Sequence, residues 1–240
     1  MESIDILAAT AHPDDTELVM GGTIARETSR GRRVALVDLT RGESGSRGTA
    51  EIRLREAEAA ARILGAVHRE SLEMPDACLQ VTPDLRDTLV EVVRRLRPRV
   101  VLTQHWEQRH PDHAAAGRLV YDACFVAGLR NYRSDLGPAW RPRKIAYALT
   151  MTEATEVSPS FVVDITDFWQ TKLEAISAFA SQFAPSPGEK DTLQLDLLKE
   201  RVELTGRRHG QRIGVAYGEG FVTREPLVVD DLLALDGASL

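Results

Sequence analysis

Cysteine is nearly absent: Cys78 and Cys124 are the only two in 240 residues, 46 positions apart and outside any CxxC pair. The spacing offers no CxxC motif, and the pair reads as two reduced structural thiols of a cytoplasmic protein. Long apolar runs are missing too. None approaches the roughly 18–20 residues of a membrane-spanning helix, and Met1 to Ala11 has no basic segment ahead of its few apolar residues, so no signal peptide is expected. Positive charge is not in excess either, with 30 Lys and Arg against 36 Asp and Glu, a net charge of −6 and a pI near 5.6. Only short basic clusters occur, such as Arg94-Arg95 and Arg207-Arg208. Nucleic-acid and membrane partners are therefore not expected, while a local anion pocket stays open. Internal repeats and low-complexity tracts are lacking as well.

What is present is an ordinary globular composition, 43% hydrophobic and 28% charged with 5% aromatic, at a length that favours one domain. Ile4–Ala9 and Arg33–Leu39 read as strands, with a helix over Thr16–Arg30 between them. After the loop Arg41–Gly48, a helix is predicted over about Thr49–Leu64 with Ile52, Ala59 and Ile63 inward, then a strand near Glu70–Met74. Leu85, Leu89, Val92 and Leu96 recur at helical spacing, Pro98 closes that helix, and a strand over Arg99–Thr103 precedes a helix over about Asp112–Ala127. The alternation predicts an α/β fold over residues 1–130, Rossmann-like and doubly wound around a mostly parallel sheet, with its site at the strands' carboxyl ends. Residues 131–240 read as a smaller, less regular α/β part of the same domain: strands at Lys144–Thr150 and Phe161–Ile165, helices near Asp167–Gln182 and Leu193–Arg208, a surface loop at Pro185–Gly188, and a glycine-punctuated tail.

His12-Pro13-Asp14-Asp15 directly follows the first predicted strand, and His110-Pro111-Asp112-His113 lies between the fourth strand and a helix. Pro13 biases His12 toward an extended backbone, so the chain turns afterwards and can aim the two carboxylates differently, one at a metal and the other at the metal's water. Asp112 is a good N-cap type, which would put His113 in the first helical turn as a neutral imidazole. One such cluster is an ordinary turn; two on the same sheet edge point to a divalent ion. Two histidines and a carboxylate leave room for water and substrate, as in a catalytic rather than a structural zinc site. The same ligand set serves non-haem iron oxygenases, but those favour a β-barrel. A non-catalytic metal-binding module would have no use for a second aspartate beside the first. The loop GESGSRG has neither phosphate-loop nor dinucleotide-loop spacing, so no nucleotide cofactor is expected. His68, His105 and His209 lack partner clusters and read as surface or satisfied histidines.

AHPDDTEL at 11–18 and RHPDH at 109–113 resemble the two signatures of the LmbE/PIG-L family of zinc-dependent de-N-acetylases. The likeness continues through 38–66, LRNYRSDL at 129–136, 160–183 and RIGVAYGEGFVTREPL at 212–227, and its longer segments are similar to the branch acting on N-acetylglucosaminyl-malate in bacillithiol biosynthesis. The resemblance implies Zn2+ held by His12, Asp15 and His113, with Fe2+ or another divalent ion as alternatives. It also implies Asp14 as general base, His110 assisting at the carbonyl oxygen or leaving amine, and a homo-oligomer, hexamer or trimer. Asp112 orients an imidazole or only caps its helix. Gln108 stands where some relatives have a tyrosine, which puts any oxyanion role of that tyrosine in doubt for this chain.

Three residues are candidates for a small glycoside substrate. Arg53 resembles a position facing the sugar hydroxyls, against an i,i+3 ion pair with Glu56. Arg109 could grip a malate carboxylate or be a solvated loop arginine. Glu219 in YGEGF looks family-like, against a structural turn. The substrate implied is an N-acetylglucosamine conjugate, malate-linked by the resemblance, with a chitooligosaccharide as the alternative.

Overall fold

Ile6–Thr10 forms strand β1, buried along its whole length, and Val34–Thr40 forms β2 beside it, equally buried. Strands covered on both faces need continuous apolar runs, which both sequences supply. The computed structural model describes residues 3–150, 157–183 and 195–232. Between and after these strands lie α1 (Asp15–Ser29), α2 (Ala50–Ile63), β3 (His68–Met74), α3 (Pro83–Leu96), β4 (Val100–Gln104) and α4 (Pro111–Ala127). The chain continues through β5 (Lys144–Ala148), β6 (Phe161–Asp164), a 3₁₀ turn at Thr166–Phe168, α5 (Trp169–Ser177), α6 (Ala180–Phe183), α7 (Leu195–Gln211) and β7 (Gly218–Val222).

Seven strands form one sheet in the order β3-β2-β1-β4-β5-β7-β6. The first five are parallel; β7 runs antiparallel to both β5 and β6. Alternate residues of β1, β2, β4 and β5 feed two cores. Leu7, Ala9, Val37 and Val101 meet α3 and α4 on one face, while Ile6, Ala8, Leu36 and Ala146 meet α1, α2 and α5 on the other. Each fully buried Val or Leu contributes roughly 1.5–3 kcal/mol of transfer free energy. Strand order reverses between β1 and β4, and the carboxyl ends there form the crevice position at which doubly wound folds bind ligands.

The stripe read on α3 is inward as expected, with Leu89, Val92 and Leu96 buried, Thr82 capping the helix by accepting from Leu85 N, and Pro83 in its first turn. Helix α2 corrects the expected face. Its buried side is Arg53, Ala57, Ala60 and Ala61, and Ile63 is exposed, because alanines let α2 lie close to the sheet while Arg53 is drawn toward the crevice. The helix expected over 167–182 is a 3₁₀ turn and two helices, an interruption that seats Phe179 in the core. The tail contains β7, a strand hidden by glycines. A side chain at Gly220 would place its Cβ 2.6 Å from the His209 ring, so the strand must be bare there. Cys78 is exposed rather than structural, and Cys124 is buried. Pro185–Gly188 lies outside the described residues. Among the described residues, no helix is long and apolar enough to cross a membrane.

Candidate metal centre and active site

The ends of β1 and β4 are tied together where the site begins: Ala11 N donates to Gln104 Oε1 at 2.9 Å. Beyond Pro13 the chain enters α1 through Asp14, whose φ of 107° is a conformation that side chains other than glycine rarely adopt. Such backbone strain, of order 1–3 kcal/mol, persists only where the surroundings enforce it. Arg53 does so from α2. Its Nη2 donates to Asp14 Oδ2 and to Pro13 O, both at 3.0 Å, and its Nη1 donates to Gly42 O at 2.8 Å.

The sharp turn separates the two carboxylates. Asp14 faces Arg53, while Asp15 turns into the crevice: its Oδ2 accepts from His12 N at 2.8 Å and lies 3.2 Å from His12 Nδ1, and its Oδ1 lies 3.2 Å from His113 Nε2. The other two imidazoles come from the start of α4. Here the structure corrects the expected cap: His110, not Asp112, is the N-cap, its Nδ1 accepting from Asp112 N at 3.2 Å, with Pro111 in the first helical position. His113 lies in the first turn, as expected. The three rings converge, with centroids 5.0 Å apart for His12 and His110, 5.3 Å for His12 and His113, and 4.6 Å for His110 and His113.

Two residue sets bring donor atoms within 4.8 Å of one another, His12–Asp15–His113 and His12–His110–Asp112. The bonds around them favour the first set. Asp112 is committed to backbone, its Oδ2 accepting from Ala77 N at 2.8 Å and its Oδ1 from Leu79 N at 3.2 Å. His12 Nε2 faces carboxylates, 3.0 Å from Asp76 Oδ1 and 3.4 Å from Asp112 Oδ2. A ligating histidine characteristically gives its second ring N–H to such a partner. His12 Nδ1, Asp15 and His113 are therefore the atoms and residues that fit a divalent ion.

Asp76 is the site residue that sequence reading missed. It lies in the loop after β3, fixed by Ser44 N and Ala77 N, each at 2.8 Å. Its signal was a lone Pro-Asp at a strand's carboxyl end, without a histidine to mark it.

The electrostatics suit a cation. Burial opposes charge on His12, but Asp15, then Asp14 and Asp76, raise its pKa to about 9. Burial pushes Asp14 up to about 7, against Arg53 and with help from Asp15. Burial works the same way on Asp15, yet His113 and His12 hold it well below the usual carboxylate range. His110 is lowered by burial and by the neighbouring His113 and His12.

The substrate candidates fall in different places. Arg53 is buried and pairs with Asp14 rather than with Glu56, whose carboxylate accepts from Ser181 N and Oγ, each at 2.7 Å. Arg109 is exposed and makes no hydrogen bond or ion pair among the described residues, and Gln108 beside it is buried. Glu219 is buried on β7 with both oxygens engaged by Gly22 N, Thr23 N and Lys172 Nζ, so its contacts lead to α1 and not to the crevice. His105 is buried, with Nδ1 accepting from Glu107 N. His209 is buried, and among the described residues neither ring nitrogen has a hydrogen-bond partner, which corrects its expected surface or satisfied state.

A largely buried His-Asp-His cluster thus has a second aspartate beside it on a doubly wound sheet. Residues 7–124 match the PIG-L family, described as GlcNAc-PI de-N-acetylase. The diacetylchitobiose deacetylase of Thermococcus kodakarensis is 33% identical over 227 residues, which span 90% of this chain and 81% of that protein. A probable N-acetyl-alpha-D-glucosaminyl L-malate deacetylase 2 of Bacillus anthracis is 31% identical, over 82% of this chain and 90% of that protein. The crystal structure of the conserved protein TT1542 from Thermus thermophilus superposes with a TM-score of 0.84 at 37% identity, covering 95% of this chain and 98% of that one. Sequence, fold and catalytic-type cluster agree along nearly the whole length, and the chain belongs to the PIG-L family of hydrolytic deacetylases.

Proposed function

We propose that the protein is a zinc-dependent deacetylase that removes the acetyl group from an N-acetylglucosamine conjugate, with N-acetylglucosaminyl-malate as its substrate. The observation that carries this is the convergence of His12, Asp15 and His113 with Asp14 alongside but turned away from them. The names of the relatives supply the sugar amide, and the exposed, unpaired Arg109 beside His110 favours a substrate with a free carboxylate.

A divalent ion held by His12, Asp15 and His113 would polarise the acetyl carbonyl and lower the pKa of a water molecule toward 7. Asp14, raised toward neutrality by burial, is suited to take the proton of the attacking water and return it to the departing amine. Arg53 keeps that carboxylate aimed. His110 stands over His113 and can donate from Nε2 to the oxygen on which charge develops, since Nδ1 is already occupied by Asp112 N. Asp76 and Asp112 hold the His12 ring, and thereby the ion, in place.

The test follows primary amine released from N-acetylglucosaminyl-malate and from N,N'-diacetylchitobiose, with and without chelator. The malate conjugate should be preferred, chelation should abolish turnover, and His12→Ala, Asp15→Ala and His113→Ala should each lose bound metal by mass spectrometry. Arg109→Ala should raise KM for the malate conjugate by roughly 10–100-fold and leave the neutral disaccharide unaffected. A full equivalent of zinc retained in all three ligand variants would sink the ligand assignment; equal rates on both substrates would sink the malate reading.

A further inference from the structure

Glu219 and Lys172 meet inside the molecule, 4% and 3% exposed, with Lys172 Nζ 2.6 Å from Glu219 Oε1. Both also touch the middle of α1. Lys172 Nζ donates to Leu18 O at 2.8 Å, while Glu219 accepts from Gly22 N at 3.0 Å and Thr23 N at 2.7 Å. Leu18 O and Gly22 N are i,i+4 partners in a regular helix. The ion pair thus grips one carbonyl and two N–H groups of the α1 backbone one turn beyond the site.

Leu18 connects this grip to the chemistry. Its N–H donates to Asp14 O at 3.0 Å, closing the first turn, and its carbonyl is the one that Lys172 holds. The same turn carries Asp14 in its strained conformation and Asp15 facing His113. The approach from behind is close: a Cβ at Gly22 would lie 2.7 Å from Ile165 Cδ1, so the helix is bare where the C-terminal half presses on it.

We infer that Lys172 and Glu219 are positioning residues, a buried pair from α5 and β7 that fixes the first turn of α1 so that Asp15 meets the ion and Asp14 meets the water. The inference rests on the deacetylase reading for what those aspartates do, whereas its cobalt measurements do not. Neither residue bonds to His12, Asp14, Asp15 or His113; the coupling runs through the backbone of α1.

The test compares Lys172→Met/Glu219→Gln, which removes both buried charges together and so leaves neither unpaired, with Val90→Ala, a core truncation in α3. Each protein is stripped of metal, and its thermal midpoint, cobalt(II) dissociation constant and cobalt absorption spectrum are measured. Reloaded with zinc, each is assayed for kcat and KM. Both variants should melt lower than wild type. Only the double variant should bind cobalt roughly 10–100-fold more weakly, with an altered spectrum and a kcat reduced at least tenfold while KM stays within threefold.

Cobalt affinity and kcat within twofold of wild type in the double variant would overturn the inference, as would equal losses in Val90→Ala. Should the double variant fail to fold, Glu219→Gln alone, which keeps the shape and one acceptor, is read against the same two outcomes. A wild type that binds cobalt but deacetylates nothing defeats the proposed function, and the cobalt measurements still decide the positioning role.

Discussion

Asp14 owes its properties to three neighbours that pull in different directions. Burial favours its neutral form, Arg53 favours the anion, and the turn after Pro13 imposes a positive φ on it. Asparagine tolerates that backbone better than alanine and keeps the shape, but cannot take up a proton. Asp14→Asn should therefore lower kcat by roughly 10²–10⁴ with zinc content unchanged; loss of zinc in this variant, measured by mass spectrometry, would make Asp14 a ligand instead. Arg53 gives a paired expectation. Removing one partner of a buried ion pair typically costs about 3–5 kcal/mol. Arg53→Ala should thus lower stability by that order in urea denaturation and reduce kcat equally on acidic and neutral substrates. A selective rise in KM would restore Arg53 to the substrate. The histidine and aspartate motifs were legible at this scale because their residue types announce chemistry. Asp76 was not: its meaning comes from the His12 ring 3.0 Å away, across 64 positions of sequence.

Elements become legible when one face is apolar and the ends carry caps. Helix α3 satisfies both, with Thr82 and Pro83 at its start and an unbroken inward stripe, so its period could be read directly. Helix α2 does not, since its inward face is three alanines and an arginine that serves the site. The loop after β3 had no legible structure at all, because its conformation is imposed from α4. Ala77 N and Leu79 N both donate to Asp112, in the first turn of that helix, and this anchors Asp76 against His12. In Asp112→Ala the Leu79 N–H loses its acceptor and Ala77 N keeps only Asp76 Oδ1. Amide hydrogen exchange should quicken, most at Leu79, and metal affinity should fall by roughly 10–100-fold as His12 loses Asp112 and the loop that carries Asp76 loosens. If affinity falls while exchange is unchanged, Asp112 acts on the ring and not through the loop.

Across the whole molecule, the parallel half was readable because its inner strands are largely apolar stretches alternating with helices, whereas the antiparallel edge is held by side chains distant in sequence. Strand β7, between β5 and β6, has two glycines in its five residues and packs its backbone on α7, where His209 lies 4% exposed and, among the described residues, neither ring nitrogen has a hydrogen-bond partner. Burial, then Arg208 on its own helix and Arg212 just past that helix's end, lower His209 to about 4; Glu219 opposes this and Lys172 adds to it. An unfolded histidine titrates near 6.5. Above pH 6.5 the ring is neutral whether the chain is folded or not, and it contributes no pH dependence. Between pH 6.5 and 4 the unfolded chain takes up a proton that the folded one refuses, so stability drains away as the pH falls. With these values, moving from pH 7.5 to 4.5 should remove about 2–3 kcal/mol through this one residue. Many carboxylates titrate over the same range, so the measurement is a difference. Urea denaturation of metal-free wild type and His209→Leu at both pH values should show wild type losing about 2–3 kcal/mol more than the variant. A difference that stays constant between the two pH values would mean that the folded protein accommodates the charged ring, with Glu219 the nearest group to receive it.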